Sequence, residues 1–121
     1  MIKMVYCVRK RADVSDEEFH RYWLEEHGPR VRGHAKALAA QRYVQSHTLD
    51  SPLNDGLRAS RGSSPAYDGI TEMWWSDRAS LEATLVTEAG RAAGADLLAD
   101  EANFIDTAAS SLFVTEEHEI F

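Results

Sequence analysis

The segment VSDEEFHRYWLEEHGPRV, Val14–Val31, decides how the rest of the chain is read. Ser15-x-x-Glu18 is a capping box: the serine oxygen can accept a free N–H at the start of a helix, and the glutamate can reach back to the Ser15 N–H. Phe19, Tyr22 and Trp23 then recur at i, i+3 and i+4, an apolar stripe on an otherwise charged helix. His27 follows four residues after Trp23 on the edge of that stripe, and Glu26 falls near it too. Gly28-Pro29 should break the run, because a residue before proline avoids helical dihedrals. Pro29 suits the first turn of a second short helix reaching about Leu38. His27 then has two readings. It caps the helix by bonding the last carbonyls, or it tips into a cavity between helix and sheet, where partial desolvation lets it titrate near neutrality and move protons.

Outward from this segment the apolar period changes from 3.6 to two. Ile2–Arg9 reads as a strand with Ile2, Met4, Tyr6 and Val8 on one face and Lys3, Val5, Cys7 and Arg9 on the other. In a second strand, Gln41–Leu49, the residues Tyr43, Gln45 and His47 share a face. Positions 50–67 hold Pro52, Asn54, Asp55, Gly56, Gly62 and Pro65, a composition that reads as a long loop: a lid, or a tolerated surface insertion. Gly69–Ser76 is a third strand, with Ile70, Glu72 and Trp74 on one face and Thr71, Met73 and Trp75 on the other. Ser76-Asp77 caps a helix whose expected buried stripe is Leu81, Leu85 and Ala89, and which Gly90 and Gly94 weaken. A short helical turn follows near Asp96–Glu101, and Ser110–Thr115 is a fourth strand.

The order is βαββαβ, a single α+β domain over 1–121 with a four-stranded antiparallel sheet and helices on one face. Two helices cover one side of such a sheet, so apolar side chains remain on the other. A second copy is the cheapest cover, which predicts a homodimer.

Composition excludes several classes. The 121 residues include 13 Lys plus Arg against 20 Asp plus Glu, a net charge of −7 that repels phosphate backbones and argues against nucleic acid as a partner. Arg9, Lys10 and Arg11 form only a short basic cluster. Cys7 is the single cysteine, so no internal disulfide or four-cysteine metal framework exists, and a reducing, cytoplasmic setting is expected. No apolar run approaches the roughly 20 residues of a membrane span, and MIKMVYCVRKR lacks a signal-peptide pattern. No phosphate-binding or dinucleotide-binding glycine motif and no G-x-S-x-G is present. His20, His27 and His34 recur every seven residues, but two helical turns hold such side chains roughly 10 Å apart, too far for one ion with bonds of about 2 Å. No metal site is expected, and His20 and His34 are assigned to solvent.

The candidate site therefore starts from His27 and the row Tyr43, Gln45, His47. If Glu72 and Trp74 share the face of that row, His47 and Glu72 form an oriented acid–base pair and Tyr43 donates to a developing oxyanion. The other reading makes the row an edge strand facing water.

The stretches VSDEEFHRYWLEEHGPRV, YDGITEMWWSD, ADEANFID and FVTEEH occur in an order that resembles the EthD family of the dimeric α+β barrel superfamily. The resemblance covers nearly the whole chain except Ser51–Tyr67, and Phe-x-x-Tyr-Trp-x-x-x-His-Gly-Pro is its most specific part. It implies a ferredoxin-like subunit that dimerises by its sheet, with a cleft between helices and sheet. Relatives of this kind include methylmuconolactone methylisomerase, fungal polyketide dehydratases or decarboxylases, a protein of fuel-ether degradation, and cofactor-free monooxygenases. Fold membership therefore leaves the reaction open. The family's histidine falls on His27, and the methylisomerase's active-site tyrosine falls on Tyr43. That enzyme's further histidine lies in the loop after the second strand, whereas His47 here is still in the strand.

The resemblance implies a cofactor-independent isomerase, dehydratase or cyclase acting by proton transfer on a small hydrophobic or aromatic carbonyl ligand. His27, Tyr43, His47 and Glu72 would be catalytic, and Tyr6, Phe19, Trp23 and Trp74 would line the substrate. The alternatives are a non-catalytic ligand-binding or accessory protein serving an oxygenase pathway, and a superfamily-type monooxygenase, with His27 an axial ligand if haem were present.

Overall fold

The computed structural model of the chain describes residues 1–121. Four strands, β1 (Ile2–Val8), β2 (Arg42–His47), β3 (Gly69–Trp75) and β4 (Ser111–Glu116), form one antiparallel sheet in the order β2-β3-β1-β4, the ferredoxin-like arrangement. Pairing partners share a face of a sheet, so register assigns every side chain. Ile2 opposes Trp75, Met4 opposes Met73, Tyr6 opposes Thr71 and Val8 opposes Gly69. Tyr43 opposes Met73, Gln45 opposes Thr71 and His47 opposes Gly69. These residues make the helix-covered face. Lys3, Val5, Cys7, Ile70, Glu72, Trp74, Arg42, Val44 and Phe113 make the open one.

The helical layer begins with α1 (Asp16–Tyr22), where Ser15 accepts the Glu18 N–H as the capping box requires. The helix does not break at Gly28-Pro29. Trp23–His27 forms one π-helical turn and runs straight into α2 (Gly28–Gly33). In a regular α turn the Pro29 ring would strike the Glu25 carbonyl and lack the N–H to bond it. The wider turn avoids this, with the Gly28 N–H bonding the Trp23 carbonyl five residues back. After α2 the chain turns through Ala39, which holds a positive φ of 52°.

The stretch at 50–67, read as a loop, is mostly helix: α3 (Pro52–Arg61), capped by Ser51 on the Leu53 N–H and ended by Gly62 in the left-handed region. It buries no residue, and Leu53 and Leu57 are exposed. The expected stripe Leu81, Leu85, Ala89 is also revised. Here α4 (Arg78–Val86) buries Thr84 and half-buries Leu81, while Leu85 is exposed. Thr87 then caps a separate helix, α5 (Glu88–Glu101), which absorbs the short turn expected near 96–101. Gly90 lies against the Thr84 carbonyl, with no room there for a Cβ. Along α5, Ala93, Leu97 and Asp100 are buried, as is Phe104 just beyond it.

Two apolar clusters fill the space between the layers. Tyr6, Val8, Phe19, Trp23, Phe104 and Ile105 form one, and Val31, Leu38, Met73, Trp75, Ala93 and Leu97 the other. Gly69 fits beneath Trp23 because any Cβ would drive into the indole ring and to 2.7 Å from the Ser46 carbonyl oxygen. On β4, Leu112, Phe113 and Val114 remain exposed on both faces. No helix is long and apolar enough to cross a membrane.

Candidate functional site

His27 ends the π turn and is buried between α5 and the first cluster, its ring centroid 5.1 Å from that of Phe104. Its Nδ1 lies 2.7 Å from Asp100 Oδ2, and both side chains are about 5% exposed. An ionised carboxylate only accepts, so Nδ1 carries the proton and Nε2 is the basic nitrogen. Nε2 makes no side-chain hydrogen bond within the chain, and the side chain is 6% exposed. Asp100 also accepts the Tyr22 hydroxyl at 2.6 Å. Burial outweighs the carboxylate and lowers the His27 pKa, which keeps the imidazole neutral at pH 7. Asp100 itself sits below its usual range: burial raises it, but the Tyr22 and His27 hydrogen bonds together outweigh that.

Glu101, the next residue, is a second unusual carboxyl. Burial pushes it up to about 7, with the Tyr6 hydroxyl opposing and the Asp100 charge reinforcing the rise. Tyr6 is raised in turn by burial and by the Glu101 charge. Glu101 therefore titrates near neutrality between the helical layer and the sheet.

A cavity of about 390 Å³ opens between α2 and the β2 edge, within the range of small-molecule sites. Val31, Leu38 and Met73 give it an apolar floor, and Tyr43 and Gln45 are its polar wall. His27 is not part of that lining. Its chain neighbour Gly28 is, while the imidazole contacts Asp100 and Phe104, neither of which lines the cavity. Burial raises the Tyr43 pKa, with Gln45, Thr71 and Trp23 opposing as hydrogen-bonding neighbours.

The structure separates residues that the sequence placed together. Glu72 opposes Val44 on the open face, opposite to the face of the Tyr43–Gln45–His47 row, so the proposed His47–Glu72 pair does not form. Glu72 binds Lys3 instead, at 2.7 Å. Trp74 is likewise no wall of the cleft: it lies on the open face beneath the Arg42 and Lys3 cations, 4.8 and 5.4 Å from its ring. The cause is parity, since one step along a strand changes face. Phe19 is fully buried core, and Trp23 is core whose ring stacks on His47 at 4.3 Å. Tyr6 faces the helices beside Glu101. His20 and His34 are not free in solvent. His20 meets His47 with 2.7 Å between Nδ1 atoms, and His34 Nε2 meets Asp96 at 2.7 Å.

Asp100 and Glu101 are the residues that sequence reasoning missed. A signal was present: Ala93, Leu97, Asp100 and Phe104 follow one helical stripe, and a carboxylate on a buried stripe needs a partner.

The EthD domain matches residues 11–108 of the chain. No curated protein matches it. Among solved structures, the chain is similar to an ethyl tert-butyl ether D (EthD) family protein from Bacillus halodurans C-125. That likeness has 19% identity and a TM-score of 0.64 over 98% of this chain and 99% of that one. An EthD-like protein from Ralstonia eutropha JMP134 gives 19% identity and a TM-score of 0.60 over 95% and 90%. A dimeric ferredoxin-like protein of unknown function from Jannaschia sp. CCS1 gives 15% and 0.57 over 96% and 98%. At such identities the structural likeness is one of fold.

Proposed function

The chain belongs to the EthD family, and from that premise we propose that it is a cofactor-independent enzyme moving a proton on a small apolar carbonyl compound, as an isomerase, dehydratase or cyclase does. The observation that carries this reading is the His27–Asp100 contact: a neutral, buried imidazole held in one tautomer with its basic nitrogen unbonded. The step requires a ligand that reaches from the cavity past Gly28 to His27, which lies outside the lining. His27 Nε2 takes a proton from the carbon beside the carbonyl, the electrons of that C–H bond move toward oxygen, and Tyr43 donates a hydrogen bond to the resulting oxyanion. Asp100 stabilises the imidazolium. The proton then returns to another carbon in an isomerisation, or to a departing hydroxyl in a dehydration.

The open face supports an assembly of two copies. Ile70 and Phe113 are exposed there beside Val5 and Cys7, and one structural relative is described as dimeric.

A ligand-binding accessory protein is the second reading, favoured by the absence of His27 from the cavity lining. Proton exchange in D2O separates the two. A panel of small aromatic ketones and lactones is incubated with the protein and followed by proton NMR. The enzyme reading expects loss of the signal α to the carbonyl with the wild type, none with His27→Ala, and an acid limb in kcat/KM below pH about 6.5 as His27 takes a proton. Binding of the same compounds without exchange in either protein favours the accessory reading and overturns the enzyme.

A further inference from the structure

Four side chains hydrogen-bond in series from α1 to the cavity. His20 Nδ1 and His47 Nδ1 are 2.7 Å apart, and His47 Nε2 is 2.8 Å from Gln45 Oε1. Gln45 Nε2 lies 2.7 Å from the Trp23 carbonyl oxygen and 3.0 Å from the Tyr43 hydroxyl oxygen. One link in this series has no freedom. A backbone carbonyl only accepts, so the Gln45 atom facing it is the NH2 group, and the amide cannot be turned over. Gln45 Oε1 therefore faces His47 and requires a proton on His47 Nε2. A neutral imidazole carries one proton, so His47 Nδ1 is bare, and the proton between the two rings belongs to His20 Nδ1.

The order continues inward. The second hydrogen of the Gln45 amide points at the Tyr43 oxygen, which accepts it. The phenol's own proton is left to donate to an atom in the cavity that Tyr43 and Gln45 line. The backbone is shaped for this contact. A Cβ on Gly28 would come within 3.3 Å of Gln45 Nε2, and the π turn presents the Trp23 carbonyl that anchors the amide.

From this proton order we infer that Gln45, held by the Trp23 carbonyl, is a positioning residue that commits the Tyr43 hydroxyl to donate, that His47 and His20 take their proton order from the same amide, and that the cavity takes ligands presenting a carbonyl or oxyanion acceptor there. The ligand class rests on the reading of Tyr43 as an oxyanion donor; the proton order does not. A ligand that offers only a hydroxyl donor at this point meets an oxygen already occupied by Gln45, which disfavours it.

Nitrogen NMR on the histidine-labelled protein tests the order at pH about 8, above the range in which His47, its pKa lowered by burial, is charged. Expected are the Nε2–H tautomer on His47, the Nδ1–H tautomer on His20, and a scalar coupling between the two Nδ1 atoms across their hydrogen bond. The opposite tautomers, or no coupling, overturn the inference. His20→Leu keeps His47 in the Nε2–H tautomer, because Gln45 Oε1 requires that proton whether or not His20 is present. A mixture of tautomers in His20→Leu would mean that Gln45 does not set the order, and overturns the inference. Gln45→Met raises the pH at which the Tyr43 phenol ionises, identified by its loss in Tyr43→Phe; an unchanged titration breaks the Gln45–Tyr43 link. Carbonyl-labelled acetophenone tests the ligand class, its bound carbon resonance moving downfield in the wild type relative to Tyr43→Phe. No difference between the two proteins removes the acceptor class. Correct tautomers without α-proton exchange sink the enzyme reading alone, and exchange with wrong tautomers sinks this inference alone.

Discussion

The two faces of the sheet are built from the same strands with the same alternation, yet they treat polar groups in opposite ways. On the covered face the half-buried polar side chains are tied to specific neighbours: Gln45 to Tyr43 and Trp23, and His47 to Gln45 and His20. Above them the helical layer adds His27, Asp100 and Tyr22 in the same manner. On the open face Lys3 and Glu72 pair at 2.7 Å with about a fifth to a quarter of each side chain still exposed, and Arg42 and Lys3 lie over Trp74. A polar group costs little where water can replace its partner and several times more where it cannot. Chemistry that needs a fixed tautomer therefore belongs to the covered side, and the open side is equipped for contact.

The largest expected effect tests the buried end of this comparison. Asp100→Ala leaves His27 Nδ1–H and the Tyr22 hydroxyl without their acceptor, and each buried donor left unsatisfied costs on the order of 1–3 kcal/mol. Urea denaturation measures it. A loss no greater than that of Glu72→Ala would break the contrast between the faces.

Glu101→Gln follows, with a sign set by pH. The folded-state pKa of about 7 lies above the ordinary 4.5, so the folded protein keeps a proton that the unfolded chain has lost between those values. Ionising Glu101 therefore costs stability that accumulates as pH rises from 4.5 to 7 and stays constant above. The variant should match the wild type near pH 4 and exceed it by up to about 3 kcal/mol at pH 8. Thermal unfolding at both pH values reads the difference, and equal gains at both would refute a buried, titrating carboxyl.

Neighbouring positions on β3 give the third contrast. Gly69→Ala forces a Cβ into the Trp23 ring, at an overpacking cost of about 1–3 kcal/mol. Ile70, the next residue, points to the open face and is 37% exposed. Ile70→Ala in the isolated chain should cost less than Gly69→Ala, because much of its side chain is already in water. The reverse order would mean that the faces are misassigned.

How much of this was legible in the sequence follows the range of each interaction. The capping box at Ser15–Glu18 and the period-two strands are local, and they gave the element order. Register is not local. Nothing within Gly69–Trp75 says whether Glu72 or Thr71 lies beside Gln45, so the expected His47–Glu72 pair failed on a single step of parity. The helix α3 was hidden for another reason. Asn54, Asp55 and Gly56 have low helix propensity, although Ser51-Pro52 and Gly62 already mark its start and stop. The continuation through Pro29 required a π turn, whose rarity makes a helix break the better expectation from sequence. Asp100 lay in view on an apolar stripe, but its partners Tyr22 and His27 are 78 and 73 residues away.

The smallest effect is the most informative about assembly. In an isolated chain the Lys3–Glu72 pair is partly exposed and screened, so a double-mutant cycle between Lys3→Met and Glu72→Ala should give a coupling below about 1 kcal/mol that shrinks with added salt. Two copies meeting through the open face would take the same pair out of water. Its coupling would then rise with protein concentration and lose its salt dependence, because a desolvated pair is poorly screened. A coupling that stays small, salt-sensitive and independent of concentration would leave this face in solvent and remove the second copy from the proposal.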